Sequence, residues 1–452
     1  MADNLKKQSF LEGPITIPLL KFTLPMTLAM VVQALYGAVD MMIVGHLGTT
    51  QDVSAVGIGT LIMQAITALV SGLSMGVTVR IGHSIGKRVP HRAALTVGGA
   101  LLIILLLTGV LTFPMMACAD AFVRWMATPP ESFDIAVSYV RICSGGLFFV
   151  IAYNVISGIF RGLGDSKSPL LFVSIACGLN VLGDLYFVWI LKMGAPGTAY
   201  ATVIAQAISV AFSLIYIKRR GFPFRFRWKH CVYAAPQLKQ ILTVGIPVAS
   251  QSLLNYVSFM ILAAIVNGMG LLPSAAIAIE GKVFAFFILL PLSFMSAISA
   301  FVAQNIGAGQ EDRARQALWR GFAMATFFGS ISCALAFFFG ETMAAIFEKN
   351  QEAIQATARL LKGGSLEYIF LSMTFCLIAY FNGRSQTVFP MIQGIACTFL
   401  VRLPLAYWLS EQDNTDLFWI GSALSFSAFI GFMICLVYFL LQKDRRSAGT
   451  GR

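Results

Sequence analysis

Charged residues are scarce in this chain. Only 12% of its 452 residues are Asp, Glu, Lys or Arg, while 58% are hydrophobic. A soluble domain carries roughly 25% charge, so a water-filled setting for most of the chain is excluded. Acids are the scarcer sign, with 20 Asp and Glu against 32 Lys and Arg and a net charge of +12. In so apolar a chain the basic excess marks cytoplasmic loops, and no zinc-finger spacing or stacked-aromatic motif points to nucleic acid. No CxxC occurs among the eight cysteines, Cys118, Cys143, Cys177, Cys231, Cys333, Cys376, Cys397 and Cys435. They are scattered, mostly within apolar runs, and read as small buried groups. HExxH is absent, and GxSxG occurs only at Gly72–Gly76 and Gly82–Gly86, in and just after an apolar run of helical length rather than at a strand-to-helix turn, while His46, His83, His91 and His230 fall at loops or span ends. An intramembrane enzyme would need the metal motif or a Ser raised on such a turn. No cleavable signal peptide is visible: the chain opens MADNLKKQSF, and its first apolar run is too long and lacks a small-residue cleavage site.

What the chain has is apolar length. Runs at 17–45, 53–79, 93–116, 136–160, 169–191, 197–217, 241–266, 275–302, 316–339, 363–382, 388–409 and 417–441 each suffice to cross a bilayer. Separate segments near ~20 residues favour helices over the short alternating strands of a barrel. Charges between the runs alternate. One side collects Lys6, Lys7, Lys87, Arg88, Arg92, Arg161, Lys167, Arg313, Arg315, Arg320, Arg384, Lys443, Arg445 and Arg446. The same side takes the basic stretch IKRRGFPFRFRWKHCVYAAPQ, which reads either as an interfacial linker touching anionic lipid or as a solvated loop. The other side shows Asp52, Asp120, Arg124, Glu131, Asp134, Glu341, Glu348, Lys349, Glu352, Glu411, Asp413 and Asp416. The basic side is cytoplasmic, which puts both termini there, as an even number of spans requires.

The two halves repeat. LPMTLAMVVQALYGAVDMMIVGHLG from Leu24 aligns with IPVASQSLLNYVSFMILAAIVNGMG from Ile246, pairing Pro25 with Pro247 and Gly48 with Gly270. IGHSIGKRVPHRA aligns with VAQNIGAGQEDRA, and FRGLGDSKSP with FNGRSQTVFP, in the same order at nearly the same offset. The fold expected is an all-α polytopic membrane protein of twelve transmembrane helices in two six-helix lobes related by pseudo-two-fold symmetry. Residues 1–217 form the first lobe, 218–240 a cytoplasmic basic linker and 241–452 the second lobe, with a central cleft between them.

Polar side chains inside the apolar runs carry the functional expectation. Gln33, Tyr36 and Asp40 stand at i, i+3 and i+7 on one face of the first span. Pro25 removes a backbone donor there and is expected to act as a hinge. Asn180 and Asp184 share a face of the fifth span. Both acids fall in the outer half of the first lobe, near the depth of Tyr139 and Thr202, with Asn154 deeper. A carboxyl at mid-membrane costs about 2.5–3.5 kcal/mol on insertion scales. Two of them close together cannot both ionise cheaply, so a proton or a cation is expected between them. The second lobe has Gln251 and Asn255 in its first span but no acid, and Arg402 without an acid in its fifth. Glu280 and Lys282 open the eighth span and are expected to snorkel or pair, and Glu367 lies near the outer end of the tenth.

At these residues the chain resembles the multidrug and toxic compound extrusion (MATE) family. The resemblance runs over nearly the whole length and rests on VDMMIVGHLG, FRGLGDSKSP, NVLGD, VAQNIGAG and VRLPLAYWL. It implies a two-lobe antiporter that exports organic, mostly lipophilic cations against an inward flow of H⁺ or Na⁺, with no other cofactor. Asp40, Asn180 and Asp184 match the family's first-lobe cation site, most like the DinF-like branch, with Gln33, Tyr36, Tyr139, Asn154 and Thr202 as wall residues. The branch with an acid in the seventh span would need one near Asn255, and none is there.

The expectation is therefore a cation-coupled multidrug efflux antiporter working by alternating access, a monomer in the bacterial inner membrane. Its 19 Met and 37 Phe suit bulky apolar cations. The alternative is a lipid-linked saccharide flippase of the same superfamily. That would want basic residues to hold a pyrophosphate, and Arg402 is the one intramembrane residue in its favour.

Overall fold

A computed structural model describes residues 10–126, 128–412 and 416–449, the last seven of these by backbone alone. Lys6, Lys7 and Asp413, used above for sidedness, lie outside the described residues, as do the side chains of Lys443, Arg445 and Arg446. Among the described residues every regular element is helical. Eleven helices are long and apolar enough to cross a membrane, and one bent pair makes a twelfth span.

The first six spans are α1 (Thr16–Leu47), α2 (Thr50–Gly86), α3 (Pro90–Ala117), α4 (Pro130–Gly145 with Leu147–Gly162), α5 (Lys167–Ile190) and α6 (Gly194–Arg220). The second six are α7 (Ala235–Asn267), α8 (Leu271–Gly307), α9 (Glu311–Phe338), α10 (Gln351–Gly383), α11 (Val388–Ser410) and α12 (Leu417–Gly449). Most overrun the apolar runs. Hydropathy marks only what sits in lipid, whereas the helix continues until its end groups find caps. At the start of α2, Thr49 and Asp52 satisfy each other's backbone N–H groups in a reciprocal box. At the start of α10, Asn350 accepts from the Glu352 N–H at 2.9 Å.

Three spans depart from a plain helix. The two halves of α4 meet at 49°. The bend falls at the Gly145–Gly146 pair, a common cause of kinks, and a Cβ on Gly146 would stand 2.4 Å from Val203 of α6. In α5 a π-helical turn, Leu185–Ile190, follows Asp184 directly. In α11 another, Cys397–Arg402, precedes Pro404, which has no N–H for the Leu400 carbonyl. By contrast α1 and α7 run through Pro25 and Pro247 as single helices.

The chain forms two compact units, one mainly Lys21–Ala249, the other mainly Ser250–Ile306 and the residues from Gln310 onward. Their construction repeats. In the first, α2 and α4 touch through small residues: Ser74 Oγ donates to the Asn154 carbonyl at 2.6 Å and Thr78 Oγ1 to that of Gly158 at 3.0 Å. In the second, Ser299 Oγ of α8 donates to the Ala379 carbonyl of α10 at 3.2 Å. A Cβ on Gly162 would lie 2.6 Å from the Thr78 carbonyl oxygen, and one on Gly383 would lie 2.9 Å from that of Ser299. Each pair of helices thus approaches along backbone, as small-residue membrane crossings do. Around the first crossing pack Val70, Val77, Ile81, Leu147, Ile151 and Val155, all buried.

Candidate functional site

Within the first unit, α1 supplies Tyr36 and Asp40, and α5 supplies Asn180 and Asp184. Asp40 is 5% exposed, and Asn180 and Asp184 are fully buried. The Asp40 carboxyl faces the side chains of Asp184, Asn180 and Thr202. Asn180 Nδ2 donates to Thr202 Oγ1 at 3.4 Å, and the Tyr36 phenol also meets Thr202. Thr202 of α6 therefore ties the two acid-bearing helices together. Five of the expected residues, Tyr36, Asp40, Asn180, Asp184 and Thr202, thus meet on three helices.

The cluster is rich in acceptors and poor in donors. Tyr36 Oη, Asp40 Oδ1, Asn180 Oδ1 and both carboxyl oxygens of Asp184 are buried with no hydrogen-bond partner. Leaving a buried polar atom unmatched costs about 1–3 kcal/mol, more for a charged one. Two carboxyls face each other here, and among the described residues no Arg or Lys is bonded to either. A proton or a small cation among these oxygens would remove both the repulsion and the unmet bonds. The donor set is all oxygen, which fits a hard ion. Among the described residues no cluster of three or more His, Cys, Asp and Glu could hold a transition metal.

Tyr139 of α4 borders the cluster. Its ring packs on Gly59, where a Cβ would stand 2.2 Å from Cδ1, and its hydroxyl lies 3.5 Å from Thr60 Oγ1. Cys143, one turn on, is buried against the same phenol. Thr60 and Cys143 were not foreseen: one hydroxyl and one thiol in long apolar runs carry no periodic mark. Asn154 sits elsewhere, its amide donating to the Val150 carbonyl at 2.9 Å. Gln33 is exposed, seven residues or about 10 Å of helix from Asp40. Pro25 is half-buried and lies fifteen residues, about 22 Å of helix, from Asp40.

The second unit holds its own charged group. Arg402 of α11 bonds Glu367 of α10, and Glu280 of α8 faces both. Glu280 and Glu367 are 5% and 3% exposed. Lys282 is not Glu280's partner there: its ammonium stands 5.3 Å from the Phe347 ring centre. The sequence had put Glu280 with Lys282, to snorkel or pair, and had placed Glu367 and Arg402 apart from them and from each other. Arg161, expected among loop charges, is instead 8% exposed inside α4.

The MatE family model matches residues 25–186 and again 247–408. The chain is similar to the probable multidrug resistance protein YoeA of Bacillus subtilis (strain 168), 25% identical over 436 residues covering 94% of each chain. It is equally similar to the probable multidrug resistance protein YpnP of the same organism, 25% identical over 428 residues covering 92% of each. Among solved structures, a crystal structure of MATE in the bent conformation superposes with a TM-score of 0.92, at 21% identity over 99% of each chain.

Proposed function

The chain belongs to the MatE family, whose members are transporters and not enzymes, and on that premise we propose that it is a cation-coupled multidrug efflux antiporter. Its cargo would be small organic molecules, mostly lipophilic cations. Its coupling ion would be H⁺ or Na⁺, held at Asp40, Asn180 and Asp184. The observation that carries the reading is the pair of facing carboxyls, Asp40 and Asp184, with unmatched buried oxygens around them. Intramembrane acids of this kind mark ion pathways. Tyr36, Tyr139 and Thr202 would shape the pocket, with Gln33 and Asn154 on its approaches and Pro25 as the hinge of α1.

Ion loading can drive transport only if the ion binds one conformation better than the other. The α5 backbone leaves the regular helix directly after Asp184, so an ion drawn between α1 and α5 acts on a point where the helix can change pitch. In this reading the protein works by alternating access as a monomer in the inner membrane. Both termini are cytoplasmic, residues 1–217 and 241–452 are the two lobes, and 218–240 is the linker between them. The flippase alternative leaned on Arg402 as an anion clamp, but that guanidinium is taken by Glu367.

The test is Asp40→Asn, expressed in cells lacking their own efflux pumps. Export of a fluorescent cation should be abolished while the protein remains in the membrane fraction. Proteoliposomes under separately imposed pH and sodium gradients then identify the ion. Wild-type export by the Asn variant would remove the proposal.

A further inference from the structure

Arg161 is the one charged side chain of α4's inner half, and the coupling scheme does not use it. It is 8% exposed. One guanidinium nitrogen, Nη2, donates to Ser74 Oγ at 2.8 Å, and Nε is buried with no partner. Among the described residues it forms no ion pair. One turn back, Ser157 Oγ is also buried and unmatched, and the Tyr153 hydroxyl approaches it. Tyr153, Ser157 and Arg161 stand at i, i+4 and i+8 on one face of α4. A buried cation without a counter-charge is costly, and a neutral hydroxyl does not supply one.

Two ordinary explanations fall short. Arg161 lies in the last turn of α4, where the helix field favours a cation, but that field is served equally well by an exposed Arg or Lys. Nor does the α2–α4 crossing need it, because the second half of the chain builds the same crossing without it. At the repeat offset of 221, Ser74 becomes Met295, Tyr153 becomes Thr374, Ser157 becomes Ile378 and Arg161 becomes Asn382. The hydroxyl-to-carbonyl bond and the close glycine persist there, at Ser299 and Gly383, with no guanidinium.

We propose that Arg161, with Tyr153 and Ser157, recognises the oxyanion, carboxylate or phosphate, of a transported solute. The guanidinium fork matches such a group with two parallel bonds, and the hydroxyls supply further donors. With the acid pair elsewhere in the same unit, the cargo class this implies is zwitterionic. This deepens the export reading and rests on it.

Tetramethylrhodamine, a zwitterion with a free carboxylate, and its methyl ester, a pure cation, make the comparison. Binding is read by fluorescence polarisation on the full-length protein in nanodiscs of neutral lipid. Wild type should bind the acid at least about tenfold more tightly than the ester, about one good charge-assisted bond. Arg161→Gln should erase that preference and leave the ester within about twofold. Arg161→Lys, which keeps the charge without the fork, should fall between and serves if the Gln variant does not fold. Equal affinity of wild type for acid and ester, or equal loss of both in Arg161→Gln, overturns the proposal while leaving export standing. A phosphatidylglycerol molecule retained by wild type and lost in Arg161→Gln, with no acid preference, assigns the site to lipid phosphate and overturns the cargo assignment. Binding of neither dye overturns the export reading as well.

Discussion

Replacing Arg402 by Met tests how the second unit carries its charge. The substitution keeps an unbranched apolar stem and removes the guanidinium that Glu367 bonds. Glu367's side chain is 4% exposed and Glu280 also lies buried beside it, so two carboxyls are left without a counter-charge. Removing one partner of a buried pair costs about 3–5 kcal/mol, because the other charge keeps its lost hydration and gains nothing back. At ~1.4 kcal/mol per tenfold, that is roughly two to three and a half orders of magnitude in the folded-to-unfolded ratio. Replacing both partners, Arg402→Met with Glu367→Gln, removes one of the two orphans and leaves Glu280, so the double variant should lie between Arg402→Met and wild type in stability. Glu367→Gln alone removes the other partner and costs a similar amount, so the coupling energy of the cycle is at least about 3 kcal/mol. Thermal unfolding in detergent micelles, followed by tryptophan fluorescence, reads all four proteins. The reasoning fails if Arg402→Met unfolds at the wild-type temperature, or if the double variant is no better than the single.

Other outcomes follow from single contacts. A Cβ on Gly363 of α10 would stand 2.0 Å from the Phe418 carbonyl oxygen of α12, so Gly363→Ala should cost about 1–3 kcal/mol in the same unfolding assay. Gly109 of α3 has nothing within 4 Å of that point, so Gly109→Ala should be neutral or stabilise by up to about 1 kcal/mol. Asp52 accepts from Thr49 N at 3.0 Å, Thr49 Oγ1 at 2.7 Å and Ala195 N at 2.8 Å, so it both caps α2 and pins the start of α6. Asp52→Ala should lower stability by about 1–2 kcal/mol, and protease cleavage near Gly194 should rise with it. An unchanged cleavage rate there would mean that the α6 start is held by other contacts.

Apolar length and repetition made the twelve spans legible, since few other patterns produce so many runs of bilayer length. The acid pair was legible for a related reason: a carboxyl in an apolar run stands out, and helical spacing says which neighbours share its face. Spacing does not say which face meets which. Glu367 and Arg402 are 35 residues apart on different helices, and only the packing of α10 against α11 joins them. Glu280 and Lys282 illustrate the converse, being close in sequence yet turned to different partners. Arg161 was misplaced because a basic residue beside a Gly-rich turn looks like a loop charge, whereas α4 continues through it to Gly162. The bend in α4 and the wide turns in α5 and α11 leave no trace in hydropathy, which is blind to backbone pitch.

The wide turn of α5 holds one residue more than the regular ladder needs. Such a surplus is not tied to one place. Exchanging hydrogen bonds one at a time passes it along the helix, and each residue it passes rotates by about 100° without the span unravelling. Asp184 borders the turn, so it is the first side chain that a step toward the start of the helix would swing away from Asp40. A helix held this way can break its carboxyl pairing by a local change of register, leaving the lipid-facing length of the span unaltered.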